Sequence, residues 1–175
     1  MFGNSQYYHG VLRKYVIMFG NMFNDIDIVR YNNAGTAVQT IRVPIAYGPR
    51  EKFLARLRAD PNLNREVAVQ LPRLSFEMTN VTYAPERGLN KLTRNVGIRT
   101  TDNDTLRSIW TPTPYDIDFT LHGMFANQED AVQVVEQILP FFRPEWTHTL
   151  TLVPEVGDKY DIPTVLQDLQ IEDTY

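Results

Sequence analysis

Asp116, Asp118 and His122 are the residues of this chain whose spacing could do chemistry. Positions two apart on a strand share a face, so the three could offer oxygen and imidazole ligands to a divalent cation. No fourth ligand accompanies them, and without one a solvated or subunit-facing polar strand face is the far commoner case. The other histidines, His9 and His148, are too scattered for a local motif of the HExxH kind. Asp102-Asn103-Asp104 begins like a calcium loop, but Arg107 stands where its sixth-position glycine belongs and Thr113 where its twelfth-position glutamate belongs. There is no GxxxxGK[ST] phosphate loop, no GxGxxG turn and no GxSxG nucleophile elbow. Asp25 and Asp27 form an acidic pair at i and i+2, a common and unspecific pattern. With no cysteine there is no disulfide, thiolate or Cys-ligated zinc chemistry. The expectation is a protein with no catalytic residues, no metal and no cofactor, and not an enzyme.

Charge is more informative. Arg50, Lys52, Arg56 and Arg58 cluster in one short stretch, and Arg87, Lys91, Arg94 and Arg99 punctuate a later one. The C-terminal stretch carries Glu155, Asp158, Asp161, Asp168, Glu172 and Asp173. The net charge of −4 hides a division. Residues 1–110 hold 15 Lys/Arg against 9 Asp/Glu, a balance of +6, and residues 111–175 hold 2 against 12, a balance of −10. Three arrangements fit. The basic half could contact nucleic acid. The two halves could lie on opposite faces and meet head to tail in a ring. Or they could interleave in the fold and largely cancel. The chain is acidic overall and has no nucleic-acid-binding motif, which favours protein contact, and Arg and aromatic residues are the types enriched at interfaces.

The elements that must position these residues follow from periodicity. Gln6 to Asn24 reads as a long aromatic-rich helix, with Tyr8, Leu12, Tyr15, Phe19, Met22 and Phe23 on one side. Ile26–Tyr31 alternates as a strand, Asn32-Asn33-Ala34-Gly35 is a turn, and Val38–Tyr47 returns as a second strand of a hairpin. Pro44 lies inside that second strand, which must therefore be at an edge or bulged. Pro49 opens a short helix, Arg50–Ala59. Glu66–Gln70 and Arg73–Tyr83 read as strands, with Leu74, Phe76, Met78 and Val81 as apolar positions. Residues from about 84 to 104 are turn-rich and predict an extended loop, a candidate subunit-contact arm. Leu106–Thr111 and Tyr115–Phe125 predict a strand pair across Pro112-Thr113-Pro114.

Asn127 then caps a second amphipathic helix, whose stripe is Ala131, Val134, Val135, Ile138, Leu139 and Phe142. Glu129 and Asp130 favour its first turn, and Pro140 and Pro144 end it. Trp146–Val153 and Ile162–Leu169, divided at Gly157-Asp158, are the last strands. No run approaches the ~20 apolar residues of a membrane helix, and the N-terminus lacks a signal-peptide pattern. The fold class is α+β: a single domain over 1–175, with a mixed, mostly antiparallel sheet, a long N-terminal helix and the second amphipathic helix packed on it.

The wording of several stretches adds to this. VEQILPFFRP (residues 135–144), IRVPIAYGPREKF (41–53), LPRLSFEM (71–78), the opening Met1-Phe2-Gly3 and DIPTVLQDL (161–169) occur in one order along nearly the whole chain. Together they resemble the tail sheath stabilizer and tail terminator proteins of contractile-tailed bacteriophages. That resemblance implies a structural virion protein: a homohexameric ring capping the tail tube and the last sheath ring at the tail–neck junction, assembled in the host cytoplasm. It implies as partners further copies of the chain, tail sheath subunits, the tail tube or tail completion protein, and neck proteins, with DNA only passing through the ring. A further ring component of the neck, tube or baseplate is the near alternative; a nucleic-acid-binding module is the distant one. Interface candidates are Arg50, Lys52, Arg56, Arg58, Arg87, Lys91 and Arg94 on the basic side and Asp158, Asp161 and Asp168 on the acidic side. Family members usually continue beyond the segment matching DIPTVLQDL, so the chain corresponds to a shorter member or to part of one.

Overall fold

The computed structural model describes residues 8–32, 35–52, 55, 71–88, 90, 92–98, 106–152 and 159–172. The fold is α+β with mostly antiparallel strands. The chain divides into two compact units: residues 1–15, 84–114 and 140–175 form the first, and residues 16–83 and 115–139 the second.

The second unit holds the best-buried core. Helix α1 (Val11–Met22), which begins in the first unit, buries Met18, Phe19 and Met22. Phe19 stacks on Phe119 at 4.5 Å between ring centroids and meets Phe23 and Phe76 at 5.1 and 5.3 Å. Tyr47 closes the cluster edge-on against Phe76. These separations suit offset and tilted aromatic pairs, each adding to the area it buries. Gly20 makes the approach possible, since a Cβ there would lie 3.1 Å from the Phe76 ring.

Strand β1 (Asp27–Tyr31) pairs antiparallel with β2 (Ala37–Arg42), with Gly35 at φ 75° in the turn, a conformation glycine adopts without Cβ strain. Ile26 and Ile28 are buried while Asp27 is exposed, the expected alternation. The predicted single strand Val38–Tyr47 is two. It breaks at Val43-Pro44, and the chain passes from one sheet to another: β3 (Ile45–Tyr47) pairs parallel with β4 (Arg73–Tyr83). Pro44 has no N–H to donate, but its carbonyl accepts from Leu74 N–H at 2.9 Å, and the proline marks the switch between β2 and β3, each an edge strand among the described residues. β4 then pairs antiparallel with β7 (Tyr115–Met124), giving the order β3-β4-β7. The register shifts between Met78 and Asn80; Leu74 and Phe76 before it are buried, and Val81 after it is exposed.

Other expectations need correction. α1 starts at Val11, because the chain at Tyr8–Gly10 is not helical, and Tyr8 is exposed rather than part of the stripe. The stretch expected as loop contains β5 (Arg94–Ile98), which pairs with β6 (Leu106–Trp110). β6 therefore does not pair with β7: Pro112-Thr113-Pro114 connects separate ladders. The last hairpin joins β8 (Glu145–Thr151) to β9 (Lys159–Val165), so Leu166–Leu169 lies beyond the strand. Of the predicted helix Arg50–Ala59, residues 50–52 and 55 are described and helical. The predicted strand Glu66–Gln70 and the turn at Gly157-Asp158 lie outside the described residues.

Candidate assembly interface

Helix α2 (Gln128–Ile138) shows how this fold disposes of an open sheet edge. Asn127 is its N-cap through its backbone, without a side-chain bond. Val134 of the apolar stripe is fully buried, with Ala131, Val135 and Ile138 half-buried and Leu139 exposed. The stripe is flanked by polar residues that do as much. The Gln133 side-chain amide accepts from Val29 N–H at 3.1 Å and donates to Val29 C=O at 3.0 Å, and Gln137 Nε2 donates to Asp27 C=O at 2.8 Å. Two glutamines one turn apart thus occupy the free edge of β1 as a neighbouring strand would, which removes that edge as a template for another chain. Asp130, 3% exposed, accepts from Arg30 Nη2 at 2.9 Å. It lies in the first turn, where the helix dipole also favours its charge. The sequence reading marked Asp130 as a first-turn carboxylate but not as the partner of Arg30, and it missed Gln133 and Gln137; the i, i+3, i+7 spacing of the three beside the stripe was the available signal.

Asp116, Asp118 and His122 all lie on β7. Among the described residues, no three His, Cys, Asp or Glu side chains converge. His122 Nε2 faces Glu77 at 3.5 Å, and Asp118 accepts from Asn80 Nδ2 at 3.3 Å.

The charge division along the chain does not become a division between units. The first unit carries 9 Lys/Arg against 10 Asp/Glu, a balance of −1, and the second 8 against 11, a balance of −3. Each unit draws on both halves of the sequence, so the charges interleave at that level. Inside the first unit a sharper contrast survives. Residues 84–114 hold 5 Lys/Arg against 3 Asp/Glu, and residues 140–175 hold 2 against 7.

The interface candidates fall accordingly. Arg50 and exposed Lys52 sit on the helical turn after Pro49 in the second unit, whereas Arg87, Arg94, Asp161 and Asp168 are all in the first. Arg87 ends a short 3-10 turn, Pro85–Arg87. Arg94 opens β5 and lies over the Trp110 ring at 4.0 Å from its centroid, a cation–π contact. Asp161 on β9 accepts from Thr149 Oγ1 at 2.6 Å. Asp168 folds the chain locally, accepting from Leu169 N–H at 2.8 Å and Gln170 Nε2 at 2.9 Å. Arg56, Arg58, Lys91 and Asp158 lie outside the described residues.

Aromatic and aliphatic residues that charge reasoning passed over surround these positions. Leu92, Val96 and Trp110 are exposed around β5 and β6, and Leu166, Leu169 and Ile171 are exposed after β9. In β8–β9 the two faces differ. Trp146, His148 and Leu150 with Tyr160, Ile162 and Thr164 form the more covered face, and Phe141 stacks on Trp146 at 4.6 Å. Lys14 Nζ ties the end of β8 to α1 by donating to the carbonyls of Thr151, at 3.0 Å, and Leu152. Burial and neighbouring Tyr160 push the Tyr15 phenol above its ordinary pKa of 10.0. No helix among the described residues is long and apolar enough to cross a membrane.

Among the described residues this surface combines arginines, aromatics and carboxylates, and arginine and aromatic residues are enriched at protein interfaces. Residues 6–175 match the model of the T4-like virus Myoviridae tail sheath stabiliser family. The chain belongs to that family. It is also 28% identical over 180 residues to a tail completion protein, gp15, of Enterobacteria phage T4, across 99% of this chain. It spans 64% of that relative's length. The family is one of structural tail components, not of enzymes.

Proposed function

We propose that the protein forms a homohexameric ring that caps the tail tube and the last sheath ring, joining the tail to the neck of a contractile-tailed phage. The observation that carries this reading is the family match over residues 6–175. Closing a ring needs two different, complementary patches on each subunit, because a heterologous contact repeated by rotation closes on itself. Basic Arg50, Lys52, Arg87 and Arg94 and acidic Asp161 and Asp168 supply such patches. Arg56, Arg58, Lys91 and Asp158 extend them along the sequence.

The mechanism is geometric and electrostatic. A closed ring covers the growing end of the tube and stops polymerisation, and it anchors the terminal sheath subunits so that contraction does not detach them. Neck proteins bind its other side, and DNA passes through it. In this reading the protein resides in the virion after assembly in the host bacterial cytoplasm. No cofactor takes part.

Solution mass at low and high salt tests the ring. A six-fold species that loosens with salt supports it, since exposed ion pairs weaken as the Debye length falls. Salt-sensitive binding to duplex DNA by the isolated chain, without self-association, points instead to a nucleic-acid module. Electron microscopy of purified tails incubated with the protein separates a terminator from another ring component. A terminator labels the end distal to the baseplate and blocks further tube growth.

A further inference from the structure

We propose that the segment Leu166–Glu172 of one copy docks on the Arg94–Trp110 face of the β5–β6 hairpin of the next copy. The proposal deepens the ring reading above and rests on it.

The receiving face follows from register. Arg94 pairs with Trp110 and Val96 with Ser108. Opposite partners and alternate residues share a face, so these four side chains project together. All four are exposed, Val96 at 64% and Trp110 at 54%, and Leu92 just before β5 is exposed as well. The result is an aliphatic and aromatic platform carrying one guanidinium, the residue types that dominate interface energetics. A two-stranded hairpin is marginal in water until another element packs on it.

The docking segment has the opposite character. After β9 the chain runs through Leu166-Gln167-Asp168-Leu169-Gln170-Ile171-Glu172 without helix or strand, and every residue of it is exposed. Leu169 and Ile171 put apolar side chains into solvent, the latter at 70% exposure. The segment contains two carboxylates and no Lys or Arg. Its charge complements the basic stretch 84–114 that holds the hairpin, and its leucine and isoleucine match Val96, Leu92 and the Trp110 ring. Asp168, held in a local turn by Leu169 N–H and Gln170, is the carboxylate suited to Arg94.

Face and segment belong to the same unit, and both are exposed in one copy. The pairing is therefore satisfied between copies. Face on one and segment on the other is a heterologous contact, the kind that closes a ring.

The absence of cysteine makes the test direct. Val96→Cys and Leu169→Cys are made as separate full-length variants at exposed positions, then mixed under mild oxidation. The expected result is a disulfide-linked dimer in the mixture, well above what either variant forms alone, and a ladder ending at the ring size for the double variant. Arg94→Glu on the V96C chain lowers the cross-link roughly tenfold, and Asp168→Arg on the L169C chain restores it. No cross-link above the single-variant level overturns the proposal. So does a disulfide formed within one chain by the dilute double variant. Native mass of the unaltered protein, measured alongside, separates the two ideas. A ring without the cross-link sinks the docking contact alone, and a cross-link without a closed ring sinks the ring alone.

Discussion

The ladders β4–β7 and β5–β6 are both antiparallel, yet they treat their apolar residues in opposite ways. β4 buries Leu74 and Phe76 against β7 and the aromatic cluster around Phe19. β5–β6 leaves Val96 and Trp110 on an open face. The first ladder has a helix and a third strand to close its core; the second has neither among the described residues. The difference separates their roles: residues of the first are buried in a core, and residues of the second stay exposed, which is what the proposed docking contact draws on. A third device, the α2 glutamines on β1, shows that this protein can cover an edge when it must, so the bare β5–β6 face is not a general feature of its sheets.

The sharpest way to break this contrast is through Phe19. Phe19→Ala removes the ring that contacts Phe23, Phe76 and Phe119, and should cost about 3–5 kcal/mol of stability. A urea-unfolding midpoint would read it, and a change within error would mean the aromatic cluster is not the core of the second unit. Asp130→Ala comes next, with an expected loss of about 1–3 kcal/mol. It deletes a charge-assisted bond to Arg30, whose side chain is partly exposed and can recover water. Hydrogen exchange at Val29 and its neighbours should rise with it, because α2 is what covers that edge.

Trp110→Ala should move the same urea midpoint by no more than about 0.5 kcal/mol, the range of surface substitutions away from packed features. Its effect should appear instead in assembly, as a smaller solution mass. If it destabilised the chain as Phe19→Ala does, the two ladders would not differ as argued. The smallest effect concerns pH. A phenol whose folded pKa is raised contributes its full stability below the unfolded value of 10.0 and loses it as pH rises through the folded value. Stability should therefore fall above about pH 10, and Tyr15→Phe should flatten that fall while leaving neutral-pH stability nearly unchanged. Thermal melts between pH 7 and 11 would show it.

Much of the fold was legible along the chain. The alternation at Ile26–Tyr31, the Asn-Gly-rich turn and its hairpin, the strand Arg73–Tyr83 and the helix opened by Asn127 all lie where period and punctuation put them. Strand partners were not legible. Pro112-Thr113-Pro114 looks locally like a turn between paired strands, but β6 pairs back to β5 and β7 reaches β4. The period-two signal states that a segment is a strand and which side is apolar, and it is silent on which neighbour completes its hydrogen bonds. The candidate surface was half legible. Charge marked Arg94 and Asp168, whereas nothing in the sequence singled out Trp110, Val96, Leu169 or Ile171 until their exposure was known.

What the sequence determined by itself, then, is local: which segments are helix or strand, that Pro44 puts its strand at an edge or a bulge, that the chain carries no cysteine and no phosphate-loop motif, and the family its word order belongs to. These follow from backbone preferences and residue types that act over a few positions. The tertiary structure alone decided that Gln133 and Gln137 replace a strand on β1, that the charge halves interleave, and that one hairpin keeps its apolar face open. The glutamine contacts join groups 104 and 110 residues apart, and burial and hydrogen-bond satisfaction are properties of the packed whole and of no segment within it.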